Sequence, residues 1–144
     1  LERAEVLRLA MHDEPYPYIV PVNFGFTMQD DQLVLFFHGA KVGKKCDLLQ
    51  KNPHVSFEVE GKQQLIPPNG AASCTAGFAY ESVIGQGIAE LVPEEKKEDL
   101  LKKLLEHYRI PFQSFSQAHL ERTAVYQIIV KQYTAKRRPI PQGR

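Results

Sequence analysis

A chain of 144 residues, 43% hydrophobic and 24% charged, is long enough for one domain with a real core and has the make-up of an ordinary globular protein. Its formal net charge of +1 gives no global basic field, so neither nucleic acid nor an anionic membrane surface is expected as a partner. No stretch approaches the ~18 apolar residues of a membrane span, no signal peptide is visible, and Cys46 and Cys74 offer neither a disulfide framework nor metal-ligand spacing. A single domain over 1–144 in a reducing cytoplasm, without membrane or metal, is therefore the expectation. The chain does not begin with methionine, which leaves open what precedes Leu1.

Val6 to Met11 is a short apolar run and reads as a first strand. His12 to Pro17 is polar and punctuated by proline, so it reads as a turn. Tyr18 to Phe26 reads as a strong strand, with Tyr18, Val20, Val22, Phe24 and Phe26 on a core face. Its other face carries Ile19, Pro21, Asn23 and Gly25. Proline removes a ladder donor, so Pro21 implies an edge, a bulge or an interrupted ladder. Such a face also suits a flat ligand lying against backbone groups, and both readings stand.

Gln29-Asp30-Asp31 reads as a hairpin turn leading to a strand from Leu33 to His38. Val42, Cys46 and Leu49 recur at helical spacing, which predicts a helix over roughly 42–51, stopped by Asn52-Pro53. His54 to Glu60 alternates, with Val55, Phe57 and Val59 inward and one wet face. Gly61 to Ala79 reads as a long loop whose early part, Gln63 to Ile66, can extend the hairpin. Tyr80 to Val92 reads as another strand. Gly85 and Gly87 share one of its faces, and glycines there permit a sharp bend or the close approach of another backbone.

Pro93-Glu94-Glu95 opens a helix in the expected way, with proline early and acids in the first turn. Leu100, Leu101, Leu104, Leu105 and Tyr108 form its apolar stripe, and Glu98 with Lys102 and Asp99 with Lys103 make supportive pairs on the wet side. Ile110 to Leu120 reads as a connector with a short helical turn, and Ala124 to Ala135 as the last strand. Lys136-Arg137-Arg138 then reads as the start of a solvated, extended tail over 136–144. The sum is mainly β: about six antiparallel strands with two or three flanking helices, and bend-permitting glycines that favour a barrel.

One stretch carries the chemistry. Phe36-Phe37-His38-Gly39-Ala40-Lys41-Val42-Gly43-Lys44-Lys45 runs from an apolar strand into a helix start. Lys44 and Lys45 sit at the helix N-terminus, which is already partially positive and is the unfavourable end for cations. An anion bound there by the lysines and the backbone N–H groups together removes the conflict. Its owner is not obvious from the motifs. Gly85-x-Gly87 lacks the helix and third glycine of a dinucleotide fingerprint, the residues around Ser82 make no nucleophile elbow, and His38 and His54 lack matched ligands for zinc.

Four ordered motifs carry a family resemblance: Tyr16-Pro17-Tyr18-Ile19-Val20-Pro21-Val22-Asn23-Phe24-Gly25-Phe26; Leu35-Phe36-Phe37-His38-Gly39-Ala40 with Gly43-Lys44-Lys45; Asn52-Pro53-His54-Val55-Ser56-Phe57; and Tyr80-Glu81-Ser82-Val83-Ile84-Gly85-Gln86-Gly87. In order and spacing the chain resembles the pyridoxamine 5′-phosphate oxidase-like flavoproteins, within them the nitroimidazole-resistance (nitroreductase-like) group. The resemblance implies a six-stranded antiparallel split β-barrel that binds FMN at the interface of a homodimer. It implies that backbone groups of Val20, Pro21, Val22 and Asn23 face the flavin ring. Phe37, His38, Gly39 and Ala40 would then run past the ribityl chain, and Gly43, Lys44 and Lys45 would hold the phosphate. Tyr80, Ser82 and Gln86 would lie near the flavin, and whether from the same chain or from the partner chain stays open.

The resemblance further implies an FMN-dependent oxidoreductase acting on a small electrophile such as a nitro compound, with His38 as the proton-handling catalytic residue. The alternative is a non-catalytic flavin- or haem-binding module. His38 also has a plain reading, as a strand-end residue capping the helix. The chain departs from pyridoxamine phosphate oxidase proper. It has no arginine in Tyr18–Phe26, and it reads Ser82-Val83-Ile84-Gly85 where that enzyme has Arg-Gln-Val-Arg. Pyridoxine chemistry is therefore not expected.

Overall fold

The strand expected over Tyr18–Phe26 is two strands, and the break between them defines the fold. The computed structural model describes residues 1–70 and 72–140; the expected end of the tail, 141–144, lies outside the described residues. β1 (Leu7–Met11) pairs antiparallel with β2 (Tyr18–Val22), and β3 (Phe24–Gln29) pairs antiparallel with β4 (Gln32–Ala40). With β5 (His54–Glu60), β6 (Gln64–Ile66), β7 (Gly77–Leu91) and β8 (Thr123–Arg138), the sheet has eight strands in the order β2-β1-β5-β7-β8-β4-β3, with β6 on the side of β7. The two end strands of this path, β2 and β3, are joined by Asn23 alone. One residue spans at most about 7 Å between its neighbours' Cα atoms. The two ends of the sheet must therefore meet at Asn23, although no ladder joins them there. The sheet is rolled into a barrel that is split along one seam.

The count of eight rather than six has two sources: this break, and Gln64–Ile66 pairing with Gly77–Ala79. Pro21 does not make the break. It lies in β2 opposite Arg8, and among the described residues the other side of β2 pairs with nothing; such an edge strand is where a proline is tolerated. The break is held open by Tyr108. Its hydroxyl accepts the backbone N–H of Phe24 at 3.0 Å and donates to the carbonyl of Glu5 at 2.6 Å.

Asp30 and Asp31 both have positive φ, 48° and 64°, and make the two-residue turn that suits the right-handed twist of β3 and β4. Leu9, Phe24, Leu35, Phe37, Phe57 and Ile128 fill the barrel interior, each 2% exposed or less. Burying side chains of this size stabilises by roughly 1.5–3 kcal/mol each. Gly85 and Gly87 are required by close approach. A Cβ on Gly85 would lie 2.4 Å from the Phe57 ring, and one on Gly87 2.5 Å from the carbonyl oxygen of Ile129. A bulge between Gln86 and Gly87 shifts the β7–β8 register at the same place.

Helix α1 covers Lys44–Lys51, α2 Glu94–His107 and α3 Gln117–Arg122. The outer face of β4 and β8 is covered by α2: Phe36 and Val125 pack with Val92, Leu100, Leu101 and Leu104. The expected pairs Glu98–Lys102 and Asp99–Lys103 form at 3.0 and 3.5 Å.

Two further expectations need correction. α1 starts at Lys44, not 42, because Gly43 takes φ 121° and ends the preceding run, leaving Val42 81% exposed outside the helix. Lys136-Arg137-Arg138 is not a tail. These residues end β8, opposite Ser82, Glu81 and Tyr80 of β7, because a ladder needs only backbone groups and is indifferent to polar side chains.

Candidate functional site

The split gives the barrel two facing strand edges. β2 has β1 on one side and, among the described residues, no partner on the other. On β4, the pairing with β3 ends at the Phe24–Phe37 pair, so His38, Gly39 and Ala40 pair only with Val125, Ala124 and Thr123 of β8. Val20 to Asn23, where Pro21 offers only a carbonyl, and His38 with Gly39 thus present a strand edge without a ladder partner among the described residues, while the carbonyl of Ala40 accepts from Cys46 Sγ. This is what a flat, hydrogen-bonding ligand requires.

The N-terminus of α1 straddles the mouth of that seam. Lys44 lies on the β2 side, its Nζ 4.8 Å from the centre of the Tyr18 ring. Lys45 lies on the β4 side, its Nζ 5.2 Å from the centre of the Phe37 ring. Phe37 is itself stacked on Tyr126, with centroids 5.4 Å apart. The first N–H groups of an α-helix have no intrahelical partners, and here no side chain caps them.

The two lysines differ in charge balance. Lys44 pairs with Asp13 at 2.6 Å, which holds the lysine above its usual range and the Asp13 carboxyl below it. Among the described residues no carboxylate pairs with Lys45. Lys45 is half-buried, and burial holds its ammonium below the usual lysine range. Its Nζ lies 2.5 Å from where a Cβ on Gly39 would be. An unpaired, half-desolvated ammonium beside unsatisfied helix N–H groups fits a phosphate.

His38 is next to Gly39, but successive strand residues alternate faces. Phe37 faces the barrel interior, so the His38 ring faces the outer layer. Its Nδ1 is buried without a hydrogen-bond partner. Burial, and then the charges of Lys45 and His119, hold its pKa below the usual imidazole range.

Val20–Asn23, Phe37–Ala40 and Gly43–Lys45 therefore come together around one seam. Tyr80, Ser82 and Gln86 do not join them within one chain. β7 reaches the Phe37–Tyr126 level only at Leu91, and Ser82 lies about 30 Å back along the strand. Gln86 is instead engaged with Gln132, whose Nε2 donates to Gln86 Oε1 at 2.6 Å. The sequence reading missed Asp13, Tyr18, Tyr108 and Tyr126 as supports of the site. The turn acid and the three tyrosines carry no spacing signal, since each acts across the fold.

A mainly antiparallel sheet rolled around one core and open along a single seam is a split β-barrel. The sequence matches the family model described as pyridoxamine 5′-phosphate oxidase over residues 1–137, and the chain belongs to that family. The chain is similar to a candidate 5-nitroimidazole antibiotic resistance protein from Bacteroides thetaiotaomicron, with 26% identity, TM-score 0.78, and 93% of this chain and 77% of that one covered. Its fold also resembles an FAD and heme binding protein from Mycobacterium smegmatis (15% identity, TM-score 0.80, 99% and 70% covered). A third likeness is to an FAD-binding protein from Mesorhizobium loti (20% identity, TM-score 0.60, 91% and 84% covered). No curated protein matches the sequence. No helix among the described residues is long and apolar enough to cross a membrane.

Proposed function

We propose that this chain is a flavin-dependent oxidoreductase that binds FMN in the seam of a homodimer and reduces a small electrophile, a nitro compound being the first candidate. The observation that carries the reading is Lys45, an ammonium without a counter-charge among the described residues, half-buried at an uncapped helix N-terminus beside Gly39. Family membership and the flavin-binding names of similar structures support a flavin as the owner of the phosphate. The nitroimidazole-resistance name of a similar structure supports the substrate class.

Bound in the seam, a flavin supplies a centre that accepts and delivers two electrons as hydride. The chain's own residues bind and orient. Lys45 and the first N–H groups of α1 hold the phosphate. The free edges of Val20–Asn23 and His38–Ala40 offer backbone hydrogen bonds to the ring system. His38 handles the proton in this reading; kept below its usual range, it is neutral at pH 7, with one ring nitrogen protonated and the other able to accept. A second copy would supply Tyr80, Ser82 and Gln86, which one chain holds too far away. The free thiols of Cys46 and Cys74 are consistent with a reducing cytoplasm.

Purified protein should be yellow or become so with FMN. Lys45→Ala should weaken FMN by about tenfold or more while leaving riboflavin almost unchanged. Protein that cannot be reconstituted with FMN overturns the reading, and equal loss for both ligands makes Lys45 structural. Gel filtration showing only monomer removes the homodimer. A second reading, a flavin- or haem-binding module without turnover, is favoured by His38 having no carboxylate partner among the described residues. Steady-state turnover with NADPH and a panel of nitro and quinone acceptors separates the two.

A further inference from the structure

Strand β7 outruns the barrel. Its first residues, Gly77–Ala79, pair with β6 in a two-stranded arm. Strand alternation gives the arm two unlike faces. Ile66 and Ala79 are buried on one of them. Leu65 and Phe78 stand opposite each other on the other, 59% and 52% exposed. Side chains directly opposed on neighbouring strands touch, so these two make one apolar patch rather than two scattered residues. The arm holds that patch in place. Pro67-Pro68 follows β6 and stiffens its exit. The tip closes on itself: Thr75 Oγ1 accepts the backbone N–H of Asn69 at 2.7 Å and donates to the carbonyl of Ala72 at 2.7 Å. In a chain that is 24% charged, no residue between Lys62 and Glu81 carries a charge.

The patch continues along β7. Gln86 pairs with Gln132 and Gly87 with Val130, so the extra residue of the bulge, Lys131, belongs to β8. Alternation along β7 is therefore unbroken. The strand buries Ala79, Gly85, Gly87 and Ala89 on one face and turns Phe78, Tyr80, Ser82, Ile84 and Gln86 outward on the other. Phe78 thus lies about 7 Å along the strand from Tyr80 and on the same side. Tyr80, Ser82 and Gln86 are the residues that the homodimer reading sets against the flavin of the second copy.

We propose that Leu65 and Phe78 of one copy form an apolar wall of the substrate pocket over the flavin of the other, and that they select uncharged, planar aromatic electrophiles. This rests on the flavin homodimer proposed above and adds to it the residues that choose the substrate. A phenyl ring offers a large flat face to an aromatic substrate and gains by stacking as well as by burial. An uncharged arm has nothing to offset the desolvation of a charged substrate. Neither side chain can hydrogen-bond a phosphate or a ribityl hydroxyl, so the pair acts on the substrate rather than holding the cofactor.

Titration of the oxidised, FMN-loaded protein without an electron donor, followed by the flavin absorbance, tests this. The probes are 4-nitrobenzyl alcohol, 4-nitrobenzoate and 2-nitroethanol. The first should bind about tenfold tighter than either of the others. Phe78→Ala and Leu65→Ala should each weaken it by about fivefold to tenfold, with FMN affinity held within about twofold. Both side chains are exposed in one chain, so melting of the separated variants reports whether the fold is intact. A mixed dimer of Phe78→Ala and Lys45→Ala chains supplies the second arm of the test. Its one seam that keeps Lys45 faces an unaltered Phe78 from the other chain. At FMN concentrations that load only that seam, wild-type affinity for 4-nitrobenzyl alcohol should return. Equal affinity for the three probes overturns the proposal, and so does unchanged affinity in both alanine variants. Loss of FMN in Phe78→Ala makes the pair part of the cofactor seat instead. Absence of recovery in the mixed dimer removes the wall from the second copy. Wild-type protein that takes up no FMN overturns the flavin reading itself, whereas FMN uptake with indifferent variants overturns the wall alone.

Discussion

The ammonium of Lys45 occupies the space that a side chain on Gly39 would fill, 2.5 Å from the position of a Cβ there. Gly39→Ala therefore asks Lys45 to move, and the obstructing atom is the free end of a flexible chain. Stability should change by less than about 1 kcal/mol, while the preference for FMN over riboflavin should fall towards unity. Melting temperature and paired titrations with the two ligands check this. A variant that melts much lower and keeps its preference would place the role of Gly39 in the β4–β8 ladder.

Tyr108 joins the two banks of the split near Asn23. Tyr108→Phe keeps the ring and removes the hydroxyl, leaving the N–H of Phe24 and the carbonyl of Glu5 without this partner. The expected cost is about 1–3 kcal/mol, or several degrees in melting temperature for a chain of this size. Hydrogen exchange should quicken at Phe24 more than in β5.

Lys97 is 2% exposed, and its ammonium reaches the Glu94 carboxylate at 2.5 Å and the carbonyl of Leu120 at 3.0 Å. Glu94 also receives Lys41 at 3.1 Å, so it ties the loop ahead of α1 to α2. Removing the buried charge itself leaves no charge stranded, so Lys97→Met should cost under about 1.5 kcal/mol. Glu94→Ala strands that charge against one carbonyl and should destabilise more than Lys97→Met. Denaturant titration of the two variants gives the order, and the reverse order would show that the pair contributes little.

Burial keeps His38 below the usual imidazole range in the folded chain. Between the folded and unfolded values the unfolded chain holds a proton that the folded chain lacks. The stability tied to a neutral His38 is therefore present above about pH 6.5 and is lost as pH falls from there through the folded value. Denaturation measured between about pH 8 and pH 5 should show this slope, and His38→Gln should flatten it.

Much of this architecture is written locally. His54–Glu60 is found from end to end because strict alternation puts Val55, Phe57 and Val59 on one side whatever they pair with. The Asp30-Asp31 turn, the amphipathic α2 with its ion pairs, and the placing of Lys44 and Lys45 in the first turn of α1 follow from spacing alone. The candidate site is legible for the same reason: two lysines at a helix start are an anomaly that neighbours in sequence reveal.

What the sequence could not carry is the choice of partner strands. Tyr18 to Phe26 keeps one hydrophobic alternation throughout, so nothing along the chain marks Asn23 as the point where β2 leaves for β1 and β3 for β4. The same non-local choice draws Lys136–Arg138 into a ladder with β7 and puts Ser82 far from Lys45. It also gives Lys44 a counter-charge in Asp13 and leaves Lys45 without one among the described residues. By itself the sequence determined most of the elements and the two lysines at a helix start. Only the tertiary structure decided that the helix stands over an open seam, because a seam exists where two strand edges meet unpaired, and pairing is settled between residues remote in the chain.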